Sequence, residues 1–123
     1  MVDVLKQLVN TPLTANNKFP TGTSNTTLYT VGGASNASAL GAMLTRIVIA
    51  NVTTAPATFR IAISPSTSTV ANGYDWVAYD VPIGPNETIN LALGCGMAIG
   101  DFITVRSSVA SALVFSPFGI EVQ

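Results

Sequence analysis

The chain has 123 residues, 48% hydrophobic and 9% charged, with a formal net charge of −1, no histidine and one cysteine. Five Lys and Arg residues scattered without a basic run cannot neutralise a row of phosphates, and no apolar run approaches the roughly 20 residues that span a bilayer, so no nucleic acid and no membrane is expected as a partner. With so few ions, Thr, Ser, Asn, Gly and Ala must cover the surface, and such a surface loses little when a neighbour covers it, because desolvating a hydroxyl or methyl costs far less than desolvating an unpaired charge.

The length fits one domain, and a single cysteine rules out an internal disulfide. Residues 1–25 are irregular. "VDVLKQLV" has the spacing for one or two helical turns, and "NTPLTANNKFPTGTSN" predicts an extended arm lying on a surface. From residue 26 onward, runs with period two predict strands. "TTLYTV" (26–31) opens the set. "MLTRIVIAN" (43–51) sets Leu44, Arg46 and Val48 against Met43, Thr45, Ile47 and Ile49. "TFRIAIS" (58–64) places Phe59, Ile61 and Ile63 on one face with Arg60 and Ala62 on the other. In "YDWVAYDVPI", Tyr74, Trp76 and Ala78 alternate with Asp75, Val77, Tyr79 and Val81. "ETINLAL" (87–93) turns Ile89, Leu91 and Leu93 inward, and "DFITVRSS" (101–108) does the same with Ile103 and Val105. "SALVFSPFGIEV" (111–122) closes the set, with Pro117 marking an edge or a bulge because proline donates nothing to a ladder.

Turn-forming segments such as "NVTTAPA", "SPSTSTVANG", "IGPN" and "GCGMAIG" separate the runs. Strands spaced roughly every 12 residues, without a run of helical period, predict an all-β fold. The expected architecture is a single antiparallel β-sandwich of about seven to eight strands, jelly-roll or immunoglobulin-like, over residues 26–123, preceded by an N-terminal arm over 1–25. Phe59, Ile61, Ile89, Leu91, Ile103, Val105 and Phe115 are the expected core.

Chemistry-bearing motifs are sparse. Without histidine the usual general base and commonest metal ligand are missing, and Cys95 has neither a base nor a positive field near it in sequence, so a small thiol buried in a turn is the reading. "GCGMAIG" (94–100) approximates a phosphate loop, yet a strand follows it where the motif needs a helix N-terminus. Asp75, Asp80, Glu87 and Asp101 lack a cation-loop spacing and are read as solvated strand or turn positions. The sequons at Asn25, Asn36, Asn51 and Asn86 carry no weight, because "MVDVLKQLVN" has neither the basic start nor the apolar centre of a secretion signal. No catalytic residue, metal or cofactor is expected, and the chain is not expected to be an enzyme. Residues 72–93 gather the only Trp, two of the three Tyr and three of the six acidic residues. One aromatic face there is expected to fill the core and the other to meet a partner.

The order of "LKQLVNTPLT", "TLYTVGG", "ATFRIAISP", "YDWVAYDVPIGPNETINLALG", "AIGDFITVRSS" and "FSPFGIEVQ" resembles a group of small β-sandwich virion structural proteins of tailed bacteriophages, cyanophages included. The resemblance covers nearly the whole chain and departs from the group at the longer, glycine-rich "VGGASNASALGAM". It implies a viral protein of the virion, made in the host cytoplasm and not secreted, acting as a capsid decoration (cement) protein that bridges capsid subunits. It also implies a homo-oligomer, a trimer favoured, with the major capsid or other virion proteins as partners. Neck, tail or fibre-base placement is the alternative within that group, and a host-glycan-binding module the alternative outside it. The residues expected to touch partners are Leu5, Leu8, Leu13 and Phe19 of the arm, with Tyr74, Trp76 and Tyr79.

Overall fold

Each period-two run becomes a strand, because alternation takes one set of side chains out of water while the other set stays in it. A computed structural model describes residues 18–32, 40–67 and 75–122. In chain order the strands are β1 (Thr26–Thr30), β2 (Gly41–Asn51), β3 (Ala57–Ser64), β4 (Trp76–Ile83), β5 (Thr88–Ala98), β6 (Phe102–Ser107) and β7 (Leu113–Val122). They form two antiparallel sheets, one ordered β5-β2-β7 and the other β1-β6-β3-β4. The inner pairs, β2 with β5 and β3 with β6, are those of an immunoglobulin sandwich. The terminal strands are reversed relative to it, since β1 lies beside β6 and β7 beside β2.

The core lies between the sheets. Leu44, Ile47, Ile49, Leu113 and Phe115 from one layer meet Leu28, Phe59, Ile61, Ile103 and Val105 from the other, all fully buried. Phe59 and Phe115 touch edge to face across the layers, with ring centroids 6.4 Å apart. Ile89, Leu91, Leu93 and Cys95 of the edge strand β5 are only partly buried and pack against this cluster. A buried polar contact also joins the sheets: the Tyr29 hydroxyl of β1 donates to the Glu121 carboxylate of β7 at 2.6 Å.

Two sequence expectations are corrected here. Strict alternation sets Leu44 on the opposite face from Ile47 and Ile49, yet all three are buried. A register shift between Leu44 and Arg46 leaves Thr45 and Arg46 both outside, which resets the alternation. "GCGMAIG" is also not a connection. Residues 94–98 continue β5, and the turn is confined to Ile99 and Gly100, where φ of 89° and a Cβ position 2.7 Å from Ser66 both require glycine. Cys95 therefore sits in a strand and not in a turn.

Asn51, at the end of β2, holds two loops together. Its Nδ2 donates to the carbonyls of Ala55 and Gly84, and its Oδ1 accepts from the Thr53 backbone N–H and hydroxyl. On the far edge of β7, Lys18 forms a two-bond bridge with Phe115, and the Pro20 carbonyl accepts from Ser111 N–H. The last part of the arm thus lies on its own chain.

Truncating Phe115 to Ala removes a fully buried ring from both layers and is expected to lower stability by about 3–5 kcal/mol in denaturant unfolding. Tyr29→Phe keeps the ring and removes the donor to a buried carboxylate, for an expected loss of about 1–3 kcal/mol in the same assay.

Candidate functional site

The outer face of the four-stranded sheet brings Arg60, Asp80 and Arg106 together, and β4 is irregular where it meets β3. Register shifts fall between Phe59 and Ile61 and again between Ile61 and Ala62. Asp80 adopts φ of 51°, a left-handed conformation that Asp and Asn tolerate better than most residues. These irregularities overrule the alternation read from sequence. Ala78 and Val81 both pack inward, Tyr79 and Asp80 are both exposed, and Trp76 joins Tyr79 on the outside, with ring centroids 5.7 Å apart at 78°.

Arg60 of β3 organises this cluster. Its Nε and Nη2 donate to the two carboxylate oxygens of Asp80 at 2.6 and 3.1 Å, the forked geometry that guanidinium and carboxylate share. Its guanidinium lies 4.0 Å from the Tyr79 ring centroid and 5.9 Å from that of Trp76, within cation–π range of both. The hydrogen bonds from Arg60 hold the Asp80 carboxyl below its ordinary value of 3.8; the charges of Arg60 and Arg106 act in the same direction, and partial burial opposes them. Directly across from Arg60 in the β3–β6 register stands Arg106, whose Nε donates to the Thr23 carbonyl at 2.9 Å. Thr23, Thr58, Arg60, Asp80, Arg106 and Ser108 line a recess of about 240 Å³ between them.

The outer face of the three-stranded sheet differs in kind. Its cross-strand rows read Thr88–Ala50–Val114, Asn90–Val48–Ser116, Ala92–Arg46–Phe118 and Gly96–Met43–Ile120. Arg46 is the one ionisable side chain in these rows, and it stacks 4.4 Å from the Phe118 ring centroid. Gly94 and Gly96 are conspicuous on β5. Neither has a left-handed φ, and a Cβ at either position would meet nothing within 4 Å, so the packing of one chain does not call for glycine there.

The expected partner-contact residues are dispersed. Phe19 and Tyr79 are exposed, Trp76 is partly buried beside Tyr79, and Leu5, Leu8, Leu13 and Tyr74 lie outside the described residues. The carboxylates read as solvated are instead engaged by donors of their own chain. Asp75 is buried and accepts from the Ser64 hydroxyl, Glu87 accepts from Gly84 N–H, and Asp101 accepts from Ala98 N–H. Among the described residues no group of three or more metal-ligating side chains converges. Sequence reading missed the pairing of Arg60 with Arg106 and the role of Asp80. The available signal was a lone arginine in the middle of each of two apolar strand runs.

Because the folded state alone depresses the Asp80 carboxyl, the contribution of its ion pair is present above its ordinary value of 3.8 and is lost as pH falls through the lower folded-state value. Asp80→Asn keeps the backbone tolerance and removes the charge. It is expected to unfold more readily than the parent near pH 7, with the difference shrinking as pH falls below 3.8, as followed by denaturant midpoints across pH.

Compared with protein-family models, curated proteins and solved structures, the chain gives no match.

Proposed function

We propose that this chain is a non-enzymatic structural protein that acts by being covered, as a subunit of a tailed-phage particle, with capsid decoration its favoured position. The observation that carries the reading is the nearly uncharged outer face of the three-stranded sheet, where a single arginine stacked on Phe118 is the only ion in four cross-strand rows. Desolvating such a face sacrifices little hydration, so the apolar area gained on contact is not cancelled by stranded charge. The phage assignment is supported by the order of sequence blocks that resemble small virion proteins.

The edge of β5 supports covering independently. Exposed sheet edges are ordinarily guarded against pairing by shortness, bulges, charge or proline. β1 has five residues and a register shift, β4 has Pro82 and the irregularity at Asp80, and β7 has Pro117 and the Lys18 bridge. β5 has a register shift against β2 between Ala92 and Cys95, but it runs for 11 residues without a proline or a charged side chain. Glycines in strand interiors cost about 0.5–1 kcal/mol relative to alanine, and where the chain's own packing does not require them they commonly mark the close approach of another backbone. In this reading, copies of the chain or shell subunits approach at Gly94 and Gly96, and repetition of weak contacts in a tethered array builds a stable shell.

A glycan-binding reading is favoured by one observation, the exposed Tyr79 and adjoining Trp76 braced by Arg60. Loss of glycan-array signal in Trp76→Ala with an unchanged unfolding transition would select it over the structural one.

The structural reading is tested by sedimentation of the purified chain, alone and mixed with shells lacking it, and by locating it in intact particles by electron microscopy. The expected result is a concentration-dependent oligomer that binds shells in many copies. Thr88→Glu, which puts an unpaired charge on the outer face of β5 opposite Ala50, is expected to weaken that association by at least about tenfold without shifting the unfolding midpoint. A chain that stays monomeric and ignores shells overturns the reading.

A further inference from the structure

The outer face of the four-stranded sheet holds a charge arrangement that folding does not explain. Like charges directly opposite each other on neighbouring strands destabilise a sheet, and Arg60 and Arg106 are such a pair. Asp80 neutralises one of them through a forked contact that occupies both of its carboxylate oxygens. Among the described residues no carboxylate is paired with Arg106, which lines the recess, directs its Nε to the Thr23 carbonyl and makes no hydrogen bond through its two Nη groups. The recess therefore carries one excess positive charge, in a chain with only five Lys and Arg residues to place.

The neutral lining is of matching chemistry. The Ser108 Oγ accepts from Thr58 N–H at 2.8 Å, which leaves its hydroxyl hydrogen to donate, and Ser108 N–H returns to the Thr58 carbonyl at 3.0 Å, which ties the Ser108 side chain to the Thr58 backbone. At about 240 Å³ the recess falls below the roughly 300–1,000 Å³ of pockets that enclose drug-sized molecules, so it suits one small head group and not an extended ligand. Guanidinium groups bind oxyanions with directed donors, and hydroxyls supply the remaining ones.

We propose that the recess between Arg60 and Arg106 is an oxyanion-binding site, taking a single phosphate or carboxylate group on the Nη groups of Arg106 with the hydroxyls of Thr58 and Ser108 at its rim. The site is separate from the uncharged face of the other sheet and holds whether or not that face is an assembly surface. Asp80 acts within it as a built-in competitor: it neutralises Arg60 and confines the anion to the Arg106 side.

Titration with sodium phosphate, and separately with sodium acetate, at constant ionic strength with chloride as reference, tests this by following the arginine Nε–H resonances in nuclear magnetic resonance. Saturable shifts at Arg106 are expected with at least one of the two anions, and the tighter of them assigns the ligand as phosphate-bearing or carboxylate-bearing. Arg106→Gln is expected to weaken binding by about tenfold or more, and Arg46→Gln on the other sheet to leave it unchanged. Asp80→Asn is expected to tighten binding, a change that a purely structural role for Asp80 would not produce. Shifts that grow linearly and equally with chloride, or that persist unchanged in a folded Arg106→Gln protein, overturn the proposal.

Discussion

Between the two sheets lie branched aliphatic side chains from β2, β3 and β6, the Phe59–Phe115 contact, and the buried hydrogen bond from Tyr29 to Glu121. Everything else is subordinate to this layer, because burial of apolar area is the main favourable term available to a chain with so few ions and no disulfide. Register shifts in β2 and β4 serve it. They let the strands contribute inward residues at positions that strict alternation would have turned to water, and the residues displaced outward at those shifts are the ones left to meet solvent or partners.

The two outer faces divide the chemistry that remains. One is small-residue and apolar, with its lone arginine laid against an aromatic ring. The other concentrates Arg60, Arg106, Asp80, Trp76 and Tyr79 within one strand group. Low overall charge does not mean evenly diluted charge. Asp75, Glu87, Asp101 and Glu121 are each bonded to a serine, a backbone N–H or a tyrosine, so they offer little to an outside ligand. The excess cation at Arg106 stands out against that economy.

Much of the fold was legible in the residues. Alternation in "TFRIAIS" placed Phe59, Ile61 and Ile63 on the core side, and that in "DFITVRSS" did the same for Ile103 and Val105, because both strands are regular where they pair with each other. Pro117 correctly marked β7 as an edge strand. Legibility failed where backbone irregularity decides. Nothing local in "MLTRIVIAN" announces that Thr45 and Arg46 share a side, and nothing in "YDWVAYDVPI" announces that Trp76 and Tyr79 do. The candidate recess was less legible still. It is made by residues separated by tens of positions, and the opposition of Arg60 to Arg106 exists only once the strand order is known.

Position 80 shows how a backbone angle and a charge can jointly determine a residue. Its φ of 51° admits glycine, asparagine and aspartate with least strain, while the guanidinium it faces calls for an anion, which most side chains able to supply one would deliver only from an ordinary strand conformation. Aspartate alone satisfies both. The surface of this sheet is therefore less permissive than its exposure suggests: a solvent-facing site in the middle of an irregular strand carries as narrow a choice of amino acid as a position deep in the interior.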